Sequence, residues 1–251
     1  MARHGLGSLV CAALAAGVVA CGSGDEEPAD IEVVAATSLR EAFSTYADAF
    51  EGARVRLTFA GSEALADGIR SGERPDVYAA AGAEQPERLH AEGLVDAPVL
   101  FAGNELVVVV RSADRSIRRV GDLAEPGVQL AIAGDRVSLG SYTRELLDRL
   151  PTSTRDAIEA NIATTSPDVG AVVANVAGGE VDAGFAYLSD VRASRGRLRA
   201  VSLPARLQPS VLYKVAVVRG STHAGAAQEF VEGLRGPTGR RALAAAGFRV
   251  P

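Results

Sequence analysis

The sequence predicts an α/β fold built in layers around largely parallel sheets. Short apolar runs that read as strands alternate with amphipathic segments of helical period along the whole of residues 31–251. Strands also end repeatedly in small or hydroxyl residues just where a helix begins. The chain has 251 residues, 47% of them hydrophobic and 23% charged, which suffices for one large or two small cores and argues against disorder.

The first of these joints organises the rest. Val33, Val34, Ala35 and Ala36 form a short buried strand, and the period then changes. Leu39, Ala42, Phe43, Tyr46 and Phe50 recur at helical spacing. Thr37 and Ser38 lie between, where free backbone N–H groups meet the positive end of a helix dipole. Such a joint can hold an anion, and Ser is equally a preferred N-cap, so the joint alone decides nothing. Val55 to Phe59 alternates like a half-buried strand and leads through Ala60 and Gly61 to Ser62 and Glu63, a second joint, followed by a helix with Leu65 and Ile69 that Gly72 caps. Asp76 to Ala80 is the next strand, and a short helix around Leu89 ends near Gly93.

Leu106 to Val110 is the strongest buried strand and is expected to carry the chain from one half to the other. Val128 to Ala133 is a strand, Gly134 to Ser141 a loop, and a helix with Leu146, Leu147 and Leu150 is stopped by Pro151. Asp168 is the expected N-cap of a helix that puts Val169, Val172, Val173 and Val176 on one face up to Gly178 and Gly179. Asp182 to Tyr187 is a strand delivering Tyr187 at its end. Leu203 to Pro209 reads as a return linker, Val211 to Val218 as a strand, and helices with Phe230, Val231, Leu234 and Ala242 to Ala246 close the chain.

Residues 1–20 read as an export signal: Arg3 is followed by an apolar run from Leu6 to Ala20 too short to span a bilayer. Val18-Val19-Ala20-Cys21 resembles the lipobox of bacterial lipoproteins, which implies cleavage before Cys21 and acylation of its sulfur. Residues 21–30, polar and Gly-rich, suit a tether. Cys11 and Cys21 are the only cysteines, so the folded part has no disulfide and no thiolate metal site. Loss of Arg3 takes the net charge from −5 to −6, which argues against nucleic-acid binding and requires any anion to be captured by a local site.

Val34-Ala35-Ala36-Thr37-Ser38-Leu39, Phe59-Ala60-Gly61-Ser62, Pro75-Asp76-Val77-Tyr78, Asn104 to Val109, Asp182 to Tyr187 and Leu243 to Phe248 occur in order. Together they resemble the periplasmic molybdate-binding proteins of ABC importers, over essentially all of residues 31–251. The resemblance implies a type II periplasmic binding protein fold, with lobe one at 31–103 and 211–251, lobe two at 104–210, and the ligand in the cleft between them. It implies a monomer, with no cofactor and no catalysis, that takes molybdate or tungstate and delivers it to an ABC permease from the outer face of the membrane. The implied ligand set is the hydroxyls of Ser38, Ser62 and Tyr187 and backbone N–H groups at Leu139 and Val169, which would hold the molybdate oxyanion, and so its metal, through oxygen alone. Three residues depart from the family pattern. Glu63 follows Ser62 and is read as pointing outward, as a first-turn acid. Ser138 stands where Pro is frequent, which would loosen Leu139, and Lys214 stands where the return strand often has Pro.

Two other readings are weighed. Another oxyanion, sulfate or phosphate, would use the same donors. A serine hydrolase or phosphatase has little support: there is no Gly-x-Ser-x-Gly elbow, and after the signal only His90 and His223 remain.

Overall fold

The computed structural model of the chain describes residues 1–2 and 29–251. The expected signal peptide, Cys21 and nearly all of the tether fall on residues 3–28, outside the described residues.

The first half of the chain alternates as read. Strand β1 (Asp30–Ala36) passes through a single 3-10 turn (Thr37–Leu39) into helix α1 (Arg40–Asp48), and β2 (Arg54–Ala60) leads to α2 (Ser62–Arg70). Then come β3 (Val77–Ala80), α3 (Glu84–Ala91), β4 (Val99–Asn104) and β5 (Leu106–Arg111). The second half runs β6 (Leu130–Ala133), α4 (Ser138–Asp148), α5 (Thr152–Ala160), β7 (Ile162–Ser166), α6 (Val169–Gly178), β8 (Ala183–Tyr187), α7 (Leu188–Ala193) and β9 (Leu198–Ser202). A 3-10 turn (Ala205–Leu207) lies in the return linker before β10 (Val211–Val217), α8 (Ala224–Arg235) and α9 (Pro237–Ala245).

The strands form two five-stranded sheets of one plan, ordered β2-β1-β3-β10-β4 and β7-β6-β8-β5-β9. The expectation of largely parallel sheets needs correction. Within each sheet the first three strands are parallel, but β10 runs against β3 and β4, and β5 runs against β8 and β9. The physical reason lies in how those two strands are reached. β5 and β10 are entered directly from the other sheet, not through a helix that returns the chain to the same end, so nothing enforces a parallel direction. The first crossing is short. β4 belongs to one sheet and β5 to the other, so Glu105 alone separates them.

Apolar burial follows the predicted periods. Leu39, Ala42, Phe43 and Tyr46 are buried, whereas α1 stops at Asp48 and leaves Phe50 half-buried beyond its end. Phe43, Tyr46 and Phe50 meet Phe230 of α8 at ring-centroid distances of 4.8–6.0 Å, and the Tyr46 hydroxyl donates to the Phe230 carbonyl. In the second sheet all of β5 except Arg111 is buried, and α6 lays Val169, Val172 and Val176 on the core. Lys214 sits at a register shift in β10 and forms an ion pair with Glu87.

Candidate functional site

Each sheet sends the C-terminal ends of parallel strands toward the other, and the helices that follow begin there. The five residues singled out from the sequence come together at this seam. Ser38, Ser62, Leu139, Val169 and Tyr187 all line one pocket, of about 270 Å³ with its open mouth included.

Ser38 lies in the 3-10 turn after β1 and is buried. Its hydroxyl pairs with that of Tyr213 at 2.9 Å. Ser62 is the first residue of α2, with Gly61 as N-cap, and its Oγ accepts the Ala81 N–H at 3.0 Å. That bond leaves the Ser62 proton for another partner. Tyr78 donates to the Ser62 carbonyl at 2.8 Å and anchors the turn from behind.

Leu139 lies in the first turn of α4, not in the loop expected there, because the helix already begins at Ser138. Gly140 makes this possible: a Cβ on it would run into the carbonyls of Ala133 and Gly134. Without a side chain, the start of α4 packs directly against the end of β6. Asp168 caps α6 as predicted, accepting the Ala171 N–H at 2.9 Å, so Val169 opens a helix whose first N–H groups lack intrahelical partners. Tyr187 ends β8, 1% exposed, and among the described residues its hydroxyl has no hydrogen-bond partner. Burial pushes the phenols of Tyr187 and Tyr213 well above their ordinary range, so both are protonated donors at neutral pH.

Glu63 does not point outward. It lines the pocket, and its Oε1 accepts both the Ser138 N–H at 2.8 Å and the Ser138 Oγ–H at 2.7 Å. Two departures from the family pattern therefore meet across the seam and satisfy each other. A Pro at 138 would have no N–H to give, and Ser138 with Glu63 fixes the α4 start that Ser138 alone was expected to loosen. Burial raises the Glu63 pKa above its ordinary value, and the bonds from Ser138 offset only part of that rise.

The two halves touch through residues without side chains. A Cβ on Gly61 would lie 3.6 Å from Asp168 and Pro167, one on Gly82 3.0 Å from Ser138 Oγ, and one on Gly170 3.0 Å from Thr37 Cγ2. Each of these pairs joins a turn beside one sheet to a turn or helix beside the other.

The family follows from the whole chain. Residues 31–249 match the model of the bacterial extracellular solute-binding proteins. The chain belongs to that family. The molybdate-binding protein ModA of Mycobacterium tuberculosis is 32% identical over 97% of both chains. Among solved structures, the periplasmic molybdate-binding protein of Azotobacter vinelandii superposes with a TM-score of 0.78 at 21% identity, covering 88% of this chain and 99% of its own. The sulfate-binding protein SubI of M. tuberculosis superposes with a TM-score of 0.79, also at 21% identity, covering 88% of this chain and 87% of its own. The fold is thus that of the type II periplasmic binding proteins, and these relatives bind solutes and are not enzymes.

The hydrolase reading also fails on geometry. Ser221, His223 and Asp76 lie together, but the Ser221 hydroxyl donates to the Asp76 carboxylate at 2.5 Å and not to the histidine. A serine whose proton goes to a carboxylate that also takes the Glu32 N–H is a turn clamp.

Tyr213 is the residue that sequence reasoning missed. It touches Ser38 from behind the pocket and appears in no motif, being one more buried aromatic in a strand.

Proposed function

We propose that this chain is an extracytoplasmic substrate-binding protein that captures molybdate, or its congener tungstate, in the seam between two lobes and delivers it to an ABC permease. Lobe one is 31–103 with 211–251, and lobe two is 104–210. The ligand is held by the hydroxyls of Ser38, Ser62 and Tyr187 and the N–H groups of Leu139 and Val169. One observation carries this reading: among the described residues the Tyr187 hydroxyl is buried, protonated and unpartnered, in a pocket lined by hydroxyls and helix starts, with Glu63 and Asp168 each held by a hydrogen bond from a helix start. An unpaired buried hydroxyl costs about 1–3 kcal/mol, so a site of this kind is built for an acceptor that arrives with the ligand. A tetrahedral dianion supplies acceptors in every direction, and each helix end adds about 0.3–1 kcal/mol or more when partly buried. Among the described residues, no Lys or Arg lines the pocket.

The export signal and Cys21 support a lipid anchor on the outer face of the membrane. Sulfate or phosphate is the second reading, favoured by Glu63 in the pocket wall. A carboxylate there could accept the proton that hydrogen phosphate retains at neutral pH, although its Oε1 is already engaged by Ser138.

Titration calorimetry with molybdate, tungstate, sulfate and phosphate at neutral pH tests the assignment. Molybdate and tungstate binding at least tenfold tighter than the other two is the expected result. Phosphate binding tighter than molybdate, with the preference abolished by Glu63→Ser, would move the protein to the second reading.

A further inference from the structure

Tyr213 lies outside the pocket lining, yet it contacts two of the proposed ligand groups. Its hydroxyl is 2.9 Å from Ser38 Oγ, and its ring stands edge-on to that of Tyr187, centroids 5.9 Å apart. Phe101 and Phe248 enclose the ring from other sides at 6.3 and 5.2 Å. The residue sits on β10 just after the return linker, so it meets Ser38 beside one sheet and Tyr187 at the end of a strand of the other.

The donors and acceptors around it can be counted. Asn104, the last residue of β4, is 1% exposed. Its Oδ1 accepts the Glu105 N–H at 2.9 Å, which fixes the amide so that Nδ2 faces Ser189 Oγ at 2.8 Å and Tyr213 Oη at 3.4 Å. Tyr213 Oη therefore accepts a hydrogen bond from the Asn104 amide. A phenol has a single proton to give, and the one acceptor recorded beside it among the described residues is Ser38 Oγ. If Ser38 donated to Tyr213 instead, the phenol would accept twice and its own proton would be buried unpaired, at a cost the other arrangement avoids.

We infer that Tyr213 is a positioning residue of the site, relaying a directed chain of hydrogen bonds from Asn104 through Tyr213 to Ser38 that commits the Ser38 proton to the ligand. The inference rests on the oxyanion reading above. Fixed in this direction, Ser38 meets an arriving anion as a donor and need not turn its hydroxyl.

Tyr213→Phe keeps the ring contacts and removes only the relay. Sodium molybdate is titrated into the wild-type protein, Tyr213→Phe, Ser38→Ala and the double variant, with thermal melts of each without ligand. We expect Tyr213→Phe to raise Kd about tenfold, and to change it less than twofold when Ser38 is already Ala, because its effect passes through that hydroxyl. A merely structural role would lower the melting temperature and leave no such dependence on Ser38. Asn104→Ala, which removes the donor that sets the direction, gives the same pattern more weakly and stands in if Phe is not tolerated at 213. A Kd for Tyr213→Phe within twofold of wild type overturns the inference, as does a full tenfold loss on top of Ser38→Ala. In both cases wild-type binding would leave the oxyanion reading standing. If the wild-type protein binds no molybdate, that reading and this inference fall together.

Discussion

Replacing Tyr187 with Phe should make the unliganded protein more stable and the site worse. Among the described residues the hydroxyl is buried without a partner, while the ring packs edge-on against Tyr213. Phe keeps the ring and deletes the unpaired group, whose burial costs about 1–3 kcal/mol. For a chain of this size each kcal/mol moves the midpoint by about 2–4 °C, so the unliganded variant should melt several degrees higher. Binding moves the other way. A hydrogen bond to a charged acceptor contributes about 1.5–3 kcal/mol, so Kd for molybdate should rise at least about tenfold. At a molybdate concentration 1,000 times the wild-type Kd, the ligand stabilises wild type by about 4.1 kcal/mol and a tenfold weaker variant by about 2.7 kcal/mol. The advantage of Phe seen without ligand should therefore shrink or reverse on adding it. Melting curves with and without molybdate, alongside calorimetry, measure both effects. A variant that melts lower than wild type without ligand, or binds molybdate as wild type does, would refute the reasoning.

Ser62→Ala should weaken molybdate binding about tenfold or more and, unlike Tyr187→Phe, also lower stability by about 1–3 kcal/mol, because the buried Ala81 N–H loses its acceptor; denaturant unfolding separates the two effects. Burial raises Asp190 to about 7, so the folded chain holds a proton that the unfolded chain releases near the usual carboxylate range. Stability should thus fall as pH rises from about 4 to about 7, and Asp190→Asn should flatten that slope in melts taken across the range. Gly82→Leu should reduce molybdate affinity at least about tenfold, since even a Cβ there would lie 3.0 Å from Ser138 Oγ across the seam and the longer side chain pushes the two halves apart; small-angle scattering with ligand should report a larger radius than for wild type. Cys21→Ser should abolish acylation and lipoprotein processing, and unchanged acyl labelling in that variant would remove the case for an anchor.

Much of this was legible because the site is made of strand ends and helix starts, which leave strong periodic signals. Val33 to Ala36, Asp182 to Tyr187 and the valines of α6 declared their elements, and Ser38, Ser62, Val169 and Tyr187 stand beside them. Signals failed where a local pattern was interrupted or where the decisive contact was distant. β4 went unread because its apolar run, Val99 to Ala102, is only four residues long, and β7 and β9 because they are short edge strands with mixed residues. Gly140 and Ser141 looked like loop residues, and only the tight approach to Gly134 explains a helix there. The orientation of Glu63 depended on Ser138, 75 positions away, and the role of Tyr213 on Ser38, 175 positions away. No window along the chain contains either pair.

The glycines at the seam have a consequence for how selectivity can change. Backbone against side chain at Gly82 and Gly170 leaves little slack, a Cβ on either lying 3.0 Å from the facing side chain, so these two contacts can act as mechanical stops on the aperture of the cleft. A single methyl at one stop would reset the separation of the donors by a fraction of an ångström, comparable with the difference in bond length between one tetrahedral oxyanion and another. The size of the preferred solute could thus drift through residues that never touch it, while every hydroxyl and N–H in the pocket stayed the same. Relatives with the same donors and different cargoes would then be told apart at the stops.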